Sequence, residues 1–332
     1  MKNKKMPNMG KIITYTLLTI CGIAMIMPFI WMVSTSLKSQ FEVNKGNVGF
    51  IPLERLTLYE DDDNINRLIK VIKKEKEKSY VHFLNEEGEI IRPYAKVESD
   101  RIFKKTKLRF HFENFVNAFK KVPFERYFLN TIIVSICVVL GVVTTGSLSA
   151  YAFARMRFIG RDWLFYLFIS MMMVPQPIYL IPSYVLLNHL GWIDTYQALI
   201  IPWMANIFTI FLLRQQFKTI PQDLFDAAVI DGCSRFDILW RIVLPLSKSV
   251  LTTSMIFALI GSWNSFMWPL VMTNSDELRV LQVGLSYFSS EASSQTALLM
   301  AASTFSILPL LLLFLFAQKR IISSFASSGL KG

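Results

Sequence analysis

The sequence predicts an all-α membrane protein of six transmembrane helices, with a small extracellular α+β insertion after the first. Three observations lead there. Of 332 residues, 53% are hydrophobic and only 18% charged, against about 45–50% and about 25% in soluble domains, and the mean hydropathy is positive. Six stretches free of Asp, Glu, Lys and Arg are each long enough to hold the roughly 20 apolar residues that cross a bilayer. The Lys and Arg residues of the short loops fall mainly on one side of the membrane. Disorder is excluded by the apolar content. Cys21, Cys137 and Cys233 are too few and too scattered for a disulfide framework or a zinc cluster.

The first uncharged stretch lies between Lys11 and Lys38 and is too long for a signal-peptide core, so it reads as an uncleaved anchor. The others lie between Arg126 and Arg155, Asp162 and Asp194, Asp194 and Arg214, Lys248 and Asp276, and Glu291 and Lys319. With the N-terminus inside, Lys2, Lys4, Lys5, Lys11, Arg155, Arg157, Arg161, the 214–248 loop and the tail residues Lys319, Arg320 and Lys331 are cytoplasmic. The short outer loops hold Arg279 alone. Both termini are therefore expected in the cytoplasm, by the positive-inside rule.

The charge-free spans argue against a self-powered carrier, which needs ionisable groups within the bundle. His82, His111 and His189 have no metal-site neighbourhood. No P-loop and no G-x-G pair is present, so ATP and dinucleotides have no motif to bind in this chain. The Lys-Glu run at 73–78 alternates in sign and reads as a solvated face, not a nucleic-acid patch.

The stretch 219–245 reads as helix, break, helix. Thr219 is a candidate N-cap, Pro221 and Asp223 suit a first turn, and Gly232 is placed to end the helix in a left-handed conformation. Ser234 with Asp237 forms a capping-box pattern that opens a second helix running into Pro245. Ala227 and Ala228 offer a small-residue surface for close approach by another protein. A solvated helical hairpin fits these local signals equally well.

Spacing separates the two. Asp226-Ala227-Ala228, three residues, Gly232, nine residues, then Ile242-x-Leu244-Pro245 resembles the EAA loop of ABC importer permeases over its full length. Asp226 departs from the usual Glu, keeping the charge with one methylene less reach. Met173-Val-Pro-Gln-Pro-Ile-Tyr-Leu-Ile-Pro182, Gly191-Trp-Ile-Asp-Thr-Tyr196, Trp263-Asn264 and Trp268-Pro-Leu270 are similar to segments of the carbohydrate (maltose-transporter-type) branch. The resemblance covers about three-quarters of the chain. It implies a type I ABC importer-like fold in which Asp226, Ala227, Ala228, Asp231, Gly232, Ile242, Leu244 and Pro245 contact an ATPase. The ending Gly329-Leu-Lys331-Gly332 resembles a tail that reaches into the ATPase dimer. The implied partners are two ATPase copies carrying ATP and Mg, a homologous second permease, an extracellular solute-binding protein and a carbohydrate, at a bacterial plasma membrane. The chain itself carries no cofactor and no catalytic residue.

Gln176, Asn206, Trp263 and Asn264 are the candidate solute-pathway residues, because a polar amide in an apolar run needs a partner, helix or solute. The prolines also read as simple kinks, and the tryptophans as interfacial or packing residues. Rival readings are the same machine for an amino acid or polyol, a stand-alone secondary carrier, and a membrane enzyme.

Between the first two spans, 45–109 has no family counterpart. Ile65, Leu68, Ile69 and Ile72 at helical spacing predict a helix over 64–78. Residues 80–84 and 90–97, flanking Asn-Glu-Glu-Gly88-Glu, predict a hairpin. Too small to stand alone, this part is expected to help seat the binding protein or to brace the two permeases. Residues 112–131 resemble an amphipathic outer segment of the family.

Overall fold

The computed structural model describes residues 9–44, 49–61, 66–74, 78–85, 90–290 and 295–329. The chain divides into two compact units: Met1–Lys121 with Tyr287–Ser306, and Val122–Ser286 with Ile307–Gly332.

In the first unit, α1 (Met9–Ser36) is 28 residues of apolar sequence, about 42 Å at 1.5 Å per residue. None of its spanning window is buried within the chain, as befits a helix facing lipid. Its end is held by polar contacts. The Asn114 amide donates to the Ser36 and Lys38 carbonyls at 2.8 Å each, and the His111 N–H donates to the Leu37 carbonyl at 2.9 Å. After the short α2 (Gln40–Asn44) come β1 (Leu53–Glu60), β2 (Asn66–Lys74), β3 (Lys78–Leu84), β4 (Ile90–Glu98) and β5 (Ile102–Leu108). They form one antiparallel sheet in the order β4-β3-β2-β1-β5. Tyr59, Ile69, Val81 and Val97 make its core.

The expected hairpin is β3–β4, with Leu84 opposite Ile90. The expected α+β character is corrected. Among the described residues, 49–109 contains strands and no helix, and the segment expected to be helical forms β2. Ile69, Val71 and Ile72 are β-branched and fit a pleated surface, and β2 pairs on both edges, Leu58 with Leu68 and Ile69 with Phe83. Paired edges outweigh a local helical spacing. The outer strand β5 bears exposed Lys104, Lys105 and Lys107, which keep a free edge from pairing with another chain. The amphipathic α3 (Glu113–Lys121) follows.

The second unit is built on α4 (Phe124–Arg155). After it come α5 (Arg161–Met171), α6 (Gln176–His189), α7 (Tyr196–Met204), α8 (Ile207–Lys218), α9 (Gln222–Ile230), α10 (Arg235–Asp237), a π-helical stretch Ile238–Val243, α11 (Leu244–Leu246), α12 (Lys248–Trp263), α13 (Met267–Met272) and then α14 (Leu281–Ser290), whose last residues from Tyr287 belong to the first unit. The last helix, α15 (Thr296–Gly329), starts in the first unit and ends in the second. Gly141 and Gly146 let α4 approach its neighbours closely. A Cβ on either would run into Met204 or Thr209, and the Thr145 hydroxyl donates to the Met204 carbonyl at 2.6 Å.

Two apolar cores sit along α4. Val134, Val138 and Val142 pack with Leu199, Trp268 and Met272. Ala150 and Tyr151 pack with Leu213, Phe217, Phe225 and Leu239.

Among the described residues, four stretches are long and apolar enough to cross a membrane: Met9–Ser36, Phe124–Arg155, Tyr196–Lys218 and Thr296–Phe316. Two bent pairs raise the number to as many as six if each is one span. They are α5 with α6, bent by 103°, and Arg235–Leu246 with α12, bent by 85°. The third uncharged stretch is therefore not one continuous helix, and the fourth and fifth are interrupted too, between Met204 and Ile207 and after Trp263. Pro175 and Pro177 lack the N–H that would continue α5 into α6, and the fifth stretch breaks after Trp263 before α13 resumes.

Candidate functional site

The stretch 219–245 folds as a protruding turn of helices. α9 starts after Pro221, which occupies the N-cap position. Thr219 instead closes α8, its hydroxyl donating to the Gln216 carbonyl at 2.8 Å. The expected Thr219 N-cap is thus corrected: Pro221 follows too closely for Thr219 to reach the first turn of α9. Gly232 has φ +77. The Cys233 N–H reaches the Ala228 carbonyl and the Gly232 N–H the Val229 carbonyl, at 2.9 and 3.0 Å. That pair of bonds is a Schellman motif, and it needs the left-handed residue that glycine supplies without strain. Ser234 and Asp237 form the capping box on both sides. The helix then widens into the π stretch, where the Leu244 N–H reaches back to the Leu239 carbonyl. Pro245 donates no N–H here, and π turns of this kind recur at functional sites.

The outer surface of this turn is apolar with acidic residues between. Val229, Ile230 and Phe236 are 63%, 85% and 65% exposed, beside exposed Asp223, Asp226 and Asp231. Asp226 accepts from the Gln222 amide at 3.0 Å. Hydrogen bonding to the Ser234 hydroxyl leads the causes that hold the Asp237 carboxyl below its ordinary value, with Arg241 adding to it. Ala227 is exposed but Ala228 is buried under Phe225 and the second core. The small surface is therefore Ala227 alone, because a helix shows only one side to a partner. Asp231, Gly232 and Pro245 are exposed, Ile242 is half-buried and Leu244 is buried.

Sequence reasoning missed the residue that seats this turn. Arg155, last in α4, donates to the Phe217 carbonyl at 2.6 Å, to the Ile220 carbonyl, and to the Gln222 side chain at 3.1 Å. Its guanidinium also lies over the Phe225 ring. Arg214 does similar work nearby, with its guanidinium 3.7 Å from the centroid of the Phe165 ring and 3.2 Å from Asp162. An arginine at the end of a charge-free run carries no signal of its target, which lies over sixty residues away in sequence.

A separate cavity of about 310 Å³ lies within the second unit. Gln176, Asn206 and Asn264 all line it, with Trp203, Phe257 and Trp268. Each amide stands where a helix is interrupted: at the first residue of α6, at the N-cap of α8 and at the C-cap of α12. Trp263 does not join them. It is buried, edge-on to Phe128 at 5.8 Å, because one residue's step around a helix turns its side chain about 100° away from that of Asn264. Gly329 ends α15; Lys331 and Gly332 lie outside the described residues.

Interrupted helices line this cavity, and the helical turn 219–245 presents an exposed apolar surface. Residues 142–326 match the family described as binding-protein-dependent transport system inner membrane component, and the chain belongs to that family. It is therefore a permease subunit and not an enzyme.

It is 34% identical over 207 residues, 62% of its length and 74% of the relative's, to the arabinooligosaccharides transport system permease protein AraQ of Bacillus subtilis (strain 168). It is 34% identical over 225 residues, 66% and 81% of the two lengths, to the trehalose/maltose transport system permease protein MalG of Thermococcus litoralis. In fold it resembles a bacterial ABC transporter involved in the import of the acidic polysaccharide alginate, with TM-score 0.66 and 19% identity over 95% of this chain and 99% of that one.

Proposed function

We propose that this chain forms half of the membrane pathway of an ATP-driven importer for a carbohydrate, in particular an oligosaccharide. It would sit in a bacterial plasma membrane with six spans and both termini in the cytoplasm. The names of its relatives support the solute class, since arabinooligosaccharides, trehalose and maltose are their cargo. The basic loop residues Arg157, Arg161, Lys218, Arg235 and Arg241 support the orientation.

The observation that carries the mechanism is the exposed apolar end of α9. Val229 and Ile230 at the end of α9, with Phe236 of α10 beside them, face water, and a partner that covers them stabilises the turn. That partner is one of two ATPase subunits, which bind ATP and Mg. Closure of the ATPase pair pushes on α9, and Arg155 passes the movement to α4. A homologous second permease completes the pathway, and an extracellular binding protein delivers the solute. Gly329, Lys331 and Gly332 make a second contact with the ATPase pair.

The test is ATP hydrolysis stimulated by solute and binding protein in the assembled transporter. Gly232→Pro removes the left-handed turn and should abolish stimulation while the chain still inserts in the membrane. Normal stimulation would refute the assignment of the turn. Deleting 329–332 should lower stimulation with the spans intact.

A further inference from the structure

The cavity carries the chemistry of an uncharged ligand. Among the described residues that line it, none is Asp, Glu, Lys or Arg. Its polar groups are the amides of Gln176, Asn206 and Asn264 and hydroxyl side chains such as Ser262 and Ser265. Amides and hydroxyls both donate and accept, which matches sugar hydroxyls. Trp203 and Trp268, edge to face at 5.3 Å, supply an apolar wall for the C–H faces of a ring. The Trp268 indole N–H is already engaged by the Ala198 carbonyl at 2.9 Å. At about 310 Å³ the cavity is at the small end of ligand sites, which run upward from about 300 Å³.

Three helix N-termini reach this cavity, those of α6, α8 and the short α13, and such ends hold anions when their N–H groups are free. Here they are blocked only in part. Pro175 and Pro177 have no N–H, and the Ile178 N–H is spent on the Pro175 carbonyl at 3.1 Å, which leaves α6 with that of Gln176. At α8 the Thr209 N–H is taken by the Asn206 side chain at 2.8 Å. A carboxylate or phosphate entering this space would lose its hydration with no cation to meet it, a cost that neutral hydroxyls do not carry.

We infer that the cavity selects for neutral sugar units and against uronic-acid or phosphorylated ones. This rests on the carbohydrate assignment above and sets this chain apart from the alginate importer whose fold it shares.

The test uses the complete transporter, purified with its own partner subunits and binding protein and reconstituted in liposomes. Labelled maltotriose, arabinotriose and xylotriose are compared with trigalacturonate and a mannuronate trimer. Uptake of a neutral member at least tenfold above both acidic ones is expected. Equal or greater uptake of an acidic trimer overturns the inference and leaves the carbohydrate assignment standing. If no saccharide enters, both fall. Gln176→Lys then asks whether the cavity makes the choice. In complexes that co-purify normally it should lower the neutral-to-acidic ratio at least threefold. An unchanged ratio places the choice elsewhere and also overturns the inference.

Discussion

The guanidinium of Arg155 lies 4.1 Å from the centroid of the Phe225 ring. Because it also donates to the carbonyls of Phe217 and Ile220, one side chain at the end of α4 grips the end of α8, the turn that follows and the buried face of α9. Movement of the exposed turn is thereby tied to the longest helix of its unit.

Arg155→Met should uncouple the two. It leaves buried carbonyls without donors, at about 1–3 kcal/mol, and removes a cation–π contact worth about 0.5–2 kcal/mol. Solute-stimulated ATP hydrolysis should fall at least tenfold with membrane insertion unchanged. Arg155→Lys should not restore it, because an ammonium lacks the planar fork that serves several acceptors and a ring at once.

Gly232→Ala separates backbone strain from loss of the turn. A left-handed φ of +77 costs an L-residue about 1–2 kcal/mol, while no atom stands near the added methyl. Partial loss of stimulated hydrolysis is expected, milder than for Gly232→Pro. Equal severity would mean that strain alone accounts for the defect.

Gly146→Leu tests the close approach of α4 and α8. The Cβ alone would fall 2.9 Å from a Thr209 methyl, and overpacking costs about 1–3 kcal/mol. The detergent-solubilised protein should show a lower Tm, and Gly261→Leu, where nothing lies within 4 Å, should not.

Asp194 ties the loop before α7 to the chain after α13. Its carboxylate accepts from the Asn274 N–H at 3.0 Å, the Ser275 N–H at 3.1 Å and the Ser275 hydroxyl at 3.0 Å. Burial pushes its pKa up, but these bonds outweigh burial and hold it below the ordinary carboxylate value. A depressed pKa stabilises the fold above the unfolded value of about 3.9 and ceases to do so as pH falls through the folded value. The Tm gap between wild type and Asp194→Asn should be full above about pH 4 and close on further acidification.

Replacing 45–109 with a Gly/Ser linker tests the strand-rich segment. If it seats the binding protein, the complex still assembles, and capture weakens and loses salt dependence. If it braces the permeases, the complex dissociates. Unchanged assembly and capture would exclude both roles.

The local devices of the candidate site were legible without coordinates. The left-handed Gly232 and the Ser234–Asp237 box act over three or four residues, so their causes lie beside them in the chain. The same holds for the charge-free runs, whose character is a matter of composition. The strand at 66–74 was not legible, since Ile69 and Ile72, three residues apart, satisfy a helical spacing, whereas in the strand Ile69 is buried and Ile72 exposed. Nor was the burial of Ala228 beside exposed Ala227, which depends on what packs behind α9.

The sequence by itself determined a membrane-spanning helical chain with a helix-break-helix turn bearing a family motif, because hydropathy, capping and spacing are properties of neighbouring residues. Only the tertiary structure decided that 66–74 is a strand, that Arg155 holds the turn, and that Gln176, Asn206 and Asn264 share one cavity while Trp263 faces away. Those outcomes are set by pairing, packing and direction between residues far apart in the chain, and no local pattern encodes which distant group arrives at the other side.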